Sequence, residues 1–107
     1  MRIIARRTLR EFVASRVGYK DHSALSAALN AWYCEVRRAR WMNTTDVKRL
    51  YATASVVSAD RFVFNIKGNA YRPVVAVDFE KSIVWIKWLG THKNYDRIDV
   101  KQVKHEK

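Results

Sequence analysis

A chain of 107 residues, 49% hydrophobic and with only three Gly and one Pro, can fill one core but not two, so residues 1–107 are read as a single globular domain. Twenty-one Lys and Arg against 10 Asp and Glu leave a formal charge of +11, which points to an anionic partner, nucleic acid first. The lone Cys34 excludes an internal disulfide, and no apolar run nears the ~20 residues of a membrane span.

Arg2 to Ala5 is short and apolar and is expected to be a strand. Thr8-Leu9-Arg10-Glu11 has the form of a capping box, so a helix is expected to start at Thr8, with Gly18 closing it. A second helix is expected from Asp21 or Ser23. Leu25, Leu29, Trp32, Tyr33 and Val36 recur at the spacing of one helical face. Arg37, Arg38 and Arg40 end it. They suit the negative end of the helix dipole, and they equally suit contacts to RNA phosphates.

Trp41 and Met42 are expected to pack the connection to a short third helix, capped by Thr44 or Thr45 and running to Tyr51. From Ala54 onward the pattern turns to strands. Val63-Phe64-Asn65-Ile66, Tyr71 to Phe79 and Ile83 to Leu89 are rich in Val, Ile and aromatics. Lys67-Gly68-Asn69 and Glu80-Lys81-Ser82 separate them as turns. Strict alternation along the last run puts Trp85 and Trp88 on opposite faces. A short last element is expected over 97–103, and the terminal KHEK is expected to fray. Helices over one face of an antiparallel sheet make the expected fold class α+β.

Hairpin pairing of the Tyr71 and Ile83 strands sets the start of one beside the end of the other. Arg72 and Lys67 are thereby expected near His92 and Tyr95, with Asn69 and Lys93 on the adjoining turns. These groups suit cleavage of RNA by its own 2′-hydroxyl. A base takes the hydroxyl proton, cations hold the phosphorane charge, and an acid protonates the leaving 5′-oxygen. Histidine is the usual proton carrier near neutral pH, and arginine grips phosphate as a fork. The plainer alternative for His92 is a solvated turn residue. The scattered His and the single Cys offer no metal-ligand spacing, so neither metal nor cofactor is expected.

Two segments carry a resemblance. Val63-Phe64-Asn65-Ile66-Lys67-Gly68-Asn69-Ala70-Tyr71-Arg72, followed by Gly90-Thr91-His92-Lys93-Asn94-Tyr95-Asp96, is similar to the HigB toxins of the RelE superfamily. The N-terminal R-R-T-L-R-E-F and the helix A-L-x-A-W-Y-x-E-V resemble the same family. The resemblance implies a RelE-like fold with N-terminal helices on one face of a twisted antiparallel sheet. It also implies a cytoplasmic endoribonuclease that cuts mRNA in the ribosomal A site, against 16S and 23S rRNA. A cognate, HigA-like helix-turn-helix antitoxin would neutralise it, and no membrane would be involved.

On that basis Arg72, His92, Tyr95 and Lys67 are the expected catalytic residues, with Arg72 and Lys67 on the phosphate and His92 or Tyr95 moving protons. Asn69, Lys93, Arg37, Arg38 and Arg40 are the expected RNA contacts. Pro73 departs from the aliphatic residue expected after Arg72, and it is expected either to shift Arg72 slightly or to mark the strand as locally unpaired. The competing reading is a basic module that binds RNA, the ribosome or another target without chemistry.

Overall fold

Recurring apolar residues mark the longest elements, α2, β4 and β5. The computed structural model describes residues 1–68 and 70–98. In chain order these form β1 (Arg2–Ile4), α1 (Arg6–Ser15), α2 (His22–Arg38), α3 (Thr44–Leu50), β2 (Ser55–Val56), β3 (Arg61–Val63), β4 (Tyr71–Asp78), β5 (Ile83–Thr91) and α4 (His92–Tyr95). The class is α+β. Asn69 and most of the expected element over 97–103 lie outside the described residues, as does the terminal KHEK.

α2 buries Leu25, Leu29, Trp32 and Val36, the stripe that its spacing announces, while Tyr33 is half-buried at its margin. The helix starts differ from their sequence signals. α1 begins at Arg6, straight out of β1, with extended Ala5 as N-cap and no side-chain cap. Thr8 therefore lies inside the helix, and Glu11 forms an i,i+4 ion pair with Arg7 at 2.9 Å. The cap of α3 is Asn43 rather than a threonine: its Oδ1 accepts from Asp46 N at 3.0 Å, and Asp46 Oδ2 accepts from Met42 N at 2.9 Å. The cap thus lies one residue upstream of the expected one, and Asp46 bonds the residue before the cap rather than the cap itself, so the capping box is not closed. Trp41 packs the connection at 3% exposure, whereas Met42 points outward at 73%.

The sheet has five strands in the order β1-β5-β4-β3-β2. β2 to β5 are antiparallel neighbours, but β1 joins β5 in parallel, with Arg2 opposite Ile83 and Ile4 opposite Trp85. The sheet is therefore mixed rather than wholly antiparallel. Hairpin logic fixes only strands that follow one another. Three helices and three strands separate β1 from β5, and a connection of that length permits parallel pairing.

The helices cover one face. Leu9, Leu25, Leu29, Trp32 and Val36 share a core with Phe62, Phe64, Tyr71, Val75, Val77, Val84 and Ile86. The opposite face carries Arg72, Val74 and Ala76 of β4. In β5 the register steps from Val75↔Ile86 to Val74↔Trp88, leaving Lys87 as an extra residue. This bulge cancels the alternation. Trp85 pairs with Ala76 and Trp88 with Val74, so both tryptophans lie on the face away from the helices, not on opposite faces.

Pro73 sits in the middle strand, paired with Leu89, one residue before that irregularity. Its carbonyl accepts from Phe64 N at 3.0 Å. Proline has no N–H to return that bond, and β3 ends at Val63, immediately before Phe64. The strand thus stays paired to β5 while its ladder to β3 stops.

Candidate active site

Hairpin geometry carries Arg72 to the end of β4 where it faces Gly90 of β5. Immediately beyond β5 the chain makes the single turn α4. Thr91 Oγ1 caps it by accepting from Asn94 N at 3.2 Å. His92 N donates to Ala70 O at 3.0 Å, which ties the turn to the β3–β4 loop. The Arg72 guanidinium lies 4.8 Å from the centre of the Tyr95 ring, and that ring lies 6.2 Å from Trp88. His92 Nδ1 faces Asp96 Oδ2 at 3.4 Å, with both side chains well exposed at 41% and 62%. Arg72, Trp88 and Tyr95 thus form one cluster, with His92 one helical turn from Tyr95. Lys93, between His92 and Tyr95, is exposed.

Lys67 is engaged elsewhere. It adopts a left-handed backbone with φ 56, followed by Gly68 at φ 69, and its ammonium lies 3.8 Å from Asp21. Asp21 accepts from the Tyr71 hydroxyl at 2.6 Å, and Arg16 donates to the same hydroxyl at 3.3 Å. The Arg16 guanidinium also covers the Tyr19 ring at 3.7 Å. Tyr71 belongs to the helix face and Arg72, its neighbour in the strand, to the outer face. The expected set therefore divides: Arg72 and Tyr95 come together, and Lys67 joins a second cluster behind them.

In that second cluster the Tyr71 hydrogen bond, helped by Lys67 and Arg16, holds the Asp21 carboxyl below its usual pKa. Burial, then the bond to Asp21, raises the Tyr71 hydroxyl. Sequence reasoning missed this network. Asp21 looks like a helix cap and Tyr71 like a core residue, and 50 positions separate them. Arg37, Arg38 and Arg40 lie exposed at and just beyond the end of α2. Asn69 lies outside the described residues.

A family model described as HigB_toxin, the RelE-like toxic component of a toxin–antitoxin system, matches residues 25–98. The chain belongs to the HigB toxin family. The match takes in α2 from Leu25 onward, α3, strands β2 to β5, α4 and every expected site residue, and leaves β1 and α1 outside it. Among curated proteins no match is found. As the toxic component of a toxin–antitoxin system, this HigB toxin has an antitoxin as its partner. No helix among its described residues is long and apolar enough to cross a membrane.

One substitution probes how tightly the cluster is built. A methyl group at Gly90 would lie 2.6 Å from Cη2 and Cζ2 of Trp88, closer than carbon atoms pack. Gly90→Ala must therefore push the indole, which touches Tyr95, which in turn touches Arg72. Overpacking of this kind is expected to cost about 1–3 kcal/mol in stability. Misplacement of a reacting group by about 1 Å lowers rates roughly 10²-fold. Measured side by side, cleavage should fall far more than the melting temperature does. Full activity in a destabilised variant would mean that Trp88 does not position Tyr95.

Proposed function

We propose that this HigB toxin is an endoribonuclease that cuts translated mRNA in the ribosomal A site and so stops translation, until its antitoxin binds it. The supporting observation is the Arg72 guanidinium held over the Tyr95 ring at 4.8 Å, one turn from the His92–Asp96 pair. A guanidinium carries a planar fork of N–H donors, a shape suited to two phosphate oxygens.

In this reading the 2′-oxygen of one nucleotide attacks the adjacent phosphorus. The new 2′-O–P bond forms as the P–O5′ bond breaks, leaving a 2′,3′-cyclic phosphate upstream and a 5′-hydroxyl downstream. His92 and Tyr95 handle the two protons, one leaving the 2′-hydroxyl and one arriving at the 5′-oxygen. The Asp96 carboxylate orients the His92 ring. Arg72 holds the phosphate while negative charge builds on it, and preorganised charge of this kind is often the largest single contribution to catalysis. Lys67, Asn69 and Lys93 add RNA contacts.

The ends of the cut RNA test this directly. A 2′,3′-cyclic phosphate paired with a 5′-hydroxyl is the expected result, together with full resistance of a substrate carrying 2′-deoxyribose at the cleaved position. A 5′-phosphate, or cutting of the deoxy substrate, would reject attack by the 2′-hydroxyl.

A further inference from the structure

Asp21 stands at the N-cap of α2, where an aspartate ordinarily accepts from an N–H of the first helical turn. Its side chain makes no such bond. The carboxylate reaches across the chain instead. It accepts from the Tyr71 hydroxyl at 2.6 Å and faces the Lys67 ammonium at 3.8 Å. Lys67 and Tyr71 stand on the two sides of the turn between β3 and β4. The base of that turn is closed by Ile66 N donating to Tyr71 O at 2.9 Å and Tyr71 N donating to Ile66 O at 3.2 Å. One carboxylate thus grips both sides of the turn.

The Tyr71 hydroxyl has no freedom to wander. It donates to Asp21 and accepts from Arg16 Nη2 at 3.3 Å, and a phenol oxygen used both ways is fixed in direction. Its ring is 2% exposed and meets Phe12 edge-on at 5.8 Å. An anchor of this kind matters at this point of the sheet. The ladder to β3 stops at Val63, and the turn beyond runs through left-handed Lys67 at φ 56 and Gly68 at φ 69.

Both halves of the candidate site hang from the anchored residue. Arg72 follows Tyr71 directly, and alternation along β4 sends the tyrosine ring inward and the arginine outward. Ala70 precedes Tyr71, and its carbonyl accepts from His92 N at 3.0 Å, which holds the start of α4. A shift of the Tyr71 ring therefore passes through one peptide unit to Arg72 and through another to His92. Asp21 and Arg16 precede residues 25–98, so the clamp is supplied by a part of the chain that the family model does not reach.

We infer that Asp21 is a positioning residue: through its hydrogen bond to Tyr71 it clamps the β3–β4 turn and so keeps Arg72 and the His92-bearing turn in register. Its effect on rate rests on the cleavage reading above, whereas its effect on geometry does not.

The test compares Tyr71→Phe, Asp21→Ala and Asp21→Asn with a control, Tyr51→Phe. The control deletes another tyrosine–carboxylate bond, from the Tyr51 hydroxyl to Glu35 Oε1 at 2.9 Å, at the end of α3. Tyr71→Phe keeps the packed ring and loses only its oxygen, so the fold should survive. Two quantities are measured well below the melting temperature of every variant. One is hydrogen exchange at the His92 amide, read by NMR. The other is kcat and KM for cleavage of message on programmed ribosomes.

In Tyr71→Phe and Asp21→Ala the His92 amide should exchange roughly 10–100-fold faster, the size of losing one hydrogen bond to a charged group. Their kcat should fall roughly 10–10²-fold, the scale of a misplacement of about 1 Å, with KM little changed. Asp21→Asn keeps an oxygen to accept from Tyr71 and should retain most of the rate. Combining Tyr71→Phe with Asp21→Ala should be no worse than either alone, because both remove the same bond. Unchanged His92 exchange in Tyr71→Phe and Asp21→Ala would overturn the clamp, and so would equal losses in Tyr51→Phe. Asp21→Asn as impaired as Asp21→Ala would overturn it in favour of the charge pair with Lys67. A parent toxin that cuts no RNA would reject the nuclease reading, while the exchange rates would still decide the clamp.

Discussion

Arg72→Ala should lower RNA cleavage by about 10²–10³-fold while leaving the domain folded. The magnitude is that of removing one preorganised donor from a developing anion. The fold should survive because Arg72 lies on the outer face of β4, away from the core cluster, and stacks on Tyr95 rather than filling a cavity. Loss of one such stacked cation is worth about 0.5–1 kcal/mol at an exposed site. Arg72→Lys should recover only part of the rate, since an ammonium keeps the charge but not the fork. Single-turnover cleavage and thermal melting of the same preparations separate the two effects. Cleavage by Arg72→Ala close to that of the parent would remove this residue from the phosphate.

Trp32→Ala should give the largest loss of stability in the molecule. Trp32 is 1% exposed, on the buried stripe of α2, and meets Phe64 edge-on at 5.5 Å. Phe64 in turn stacks on Trp41 at 6.1 Å and meets Tyr51 at 5.1 Å, so one indole supports an aromatic cluster that locks α2 and α3 to the sheet. Truncating a buried tryptophan costs about 3–5 kcal/mol. That is a large share of the roughly 5–15 kcal/mol that holds a domain folded. The melting temperature should fall by at least about 12 °C. Trp85→Ala, on the half-buried outer face beyond the bulge, should fall much less. A small shift for Trp32→Ala would mean that the helix and sheet are held by something other than this cluster.

How far the sequence reveals the molecule depends on how local each cause is. The stripe from Leu25 to Val36 and the long Val- and Ile-rich strands are local patterns, and they appear where the chain suggests. The bulge at Lys87 is one extra residue with no signature in a strand that otherwise alternates. It was enough to bring Trp88 onto the same face as Arg72. The parallel docking of β1 depends on a partner some 80 positions away, beyond the reach of hairpin logic. Asn43 displaced the threonines as a cap because it could bond Asp46 N while Asp46 returned the bond to the chain before it.

At the candidate site, pairing the β4 and β5 runs was sufficient to place Arg72 beside Tyr95. It was not sufficient for Lys67. The left-handed turn there sends the lysine towards Asp21, a residue whose sequence context advertises only a helix start.

Primer extension on a reporter message, with the toxin added to a translating extract and separately to the same message as naked RNA, is the most direct test of the proposed activity. Breaks within codons that appear only in the translating sample are the predicted result. Equal breaks in both samples would make the protein a free ribonuclease, and blocked translation without any breaks would contradict cleavage altogether.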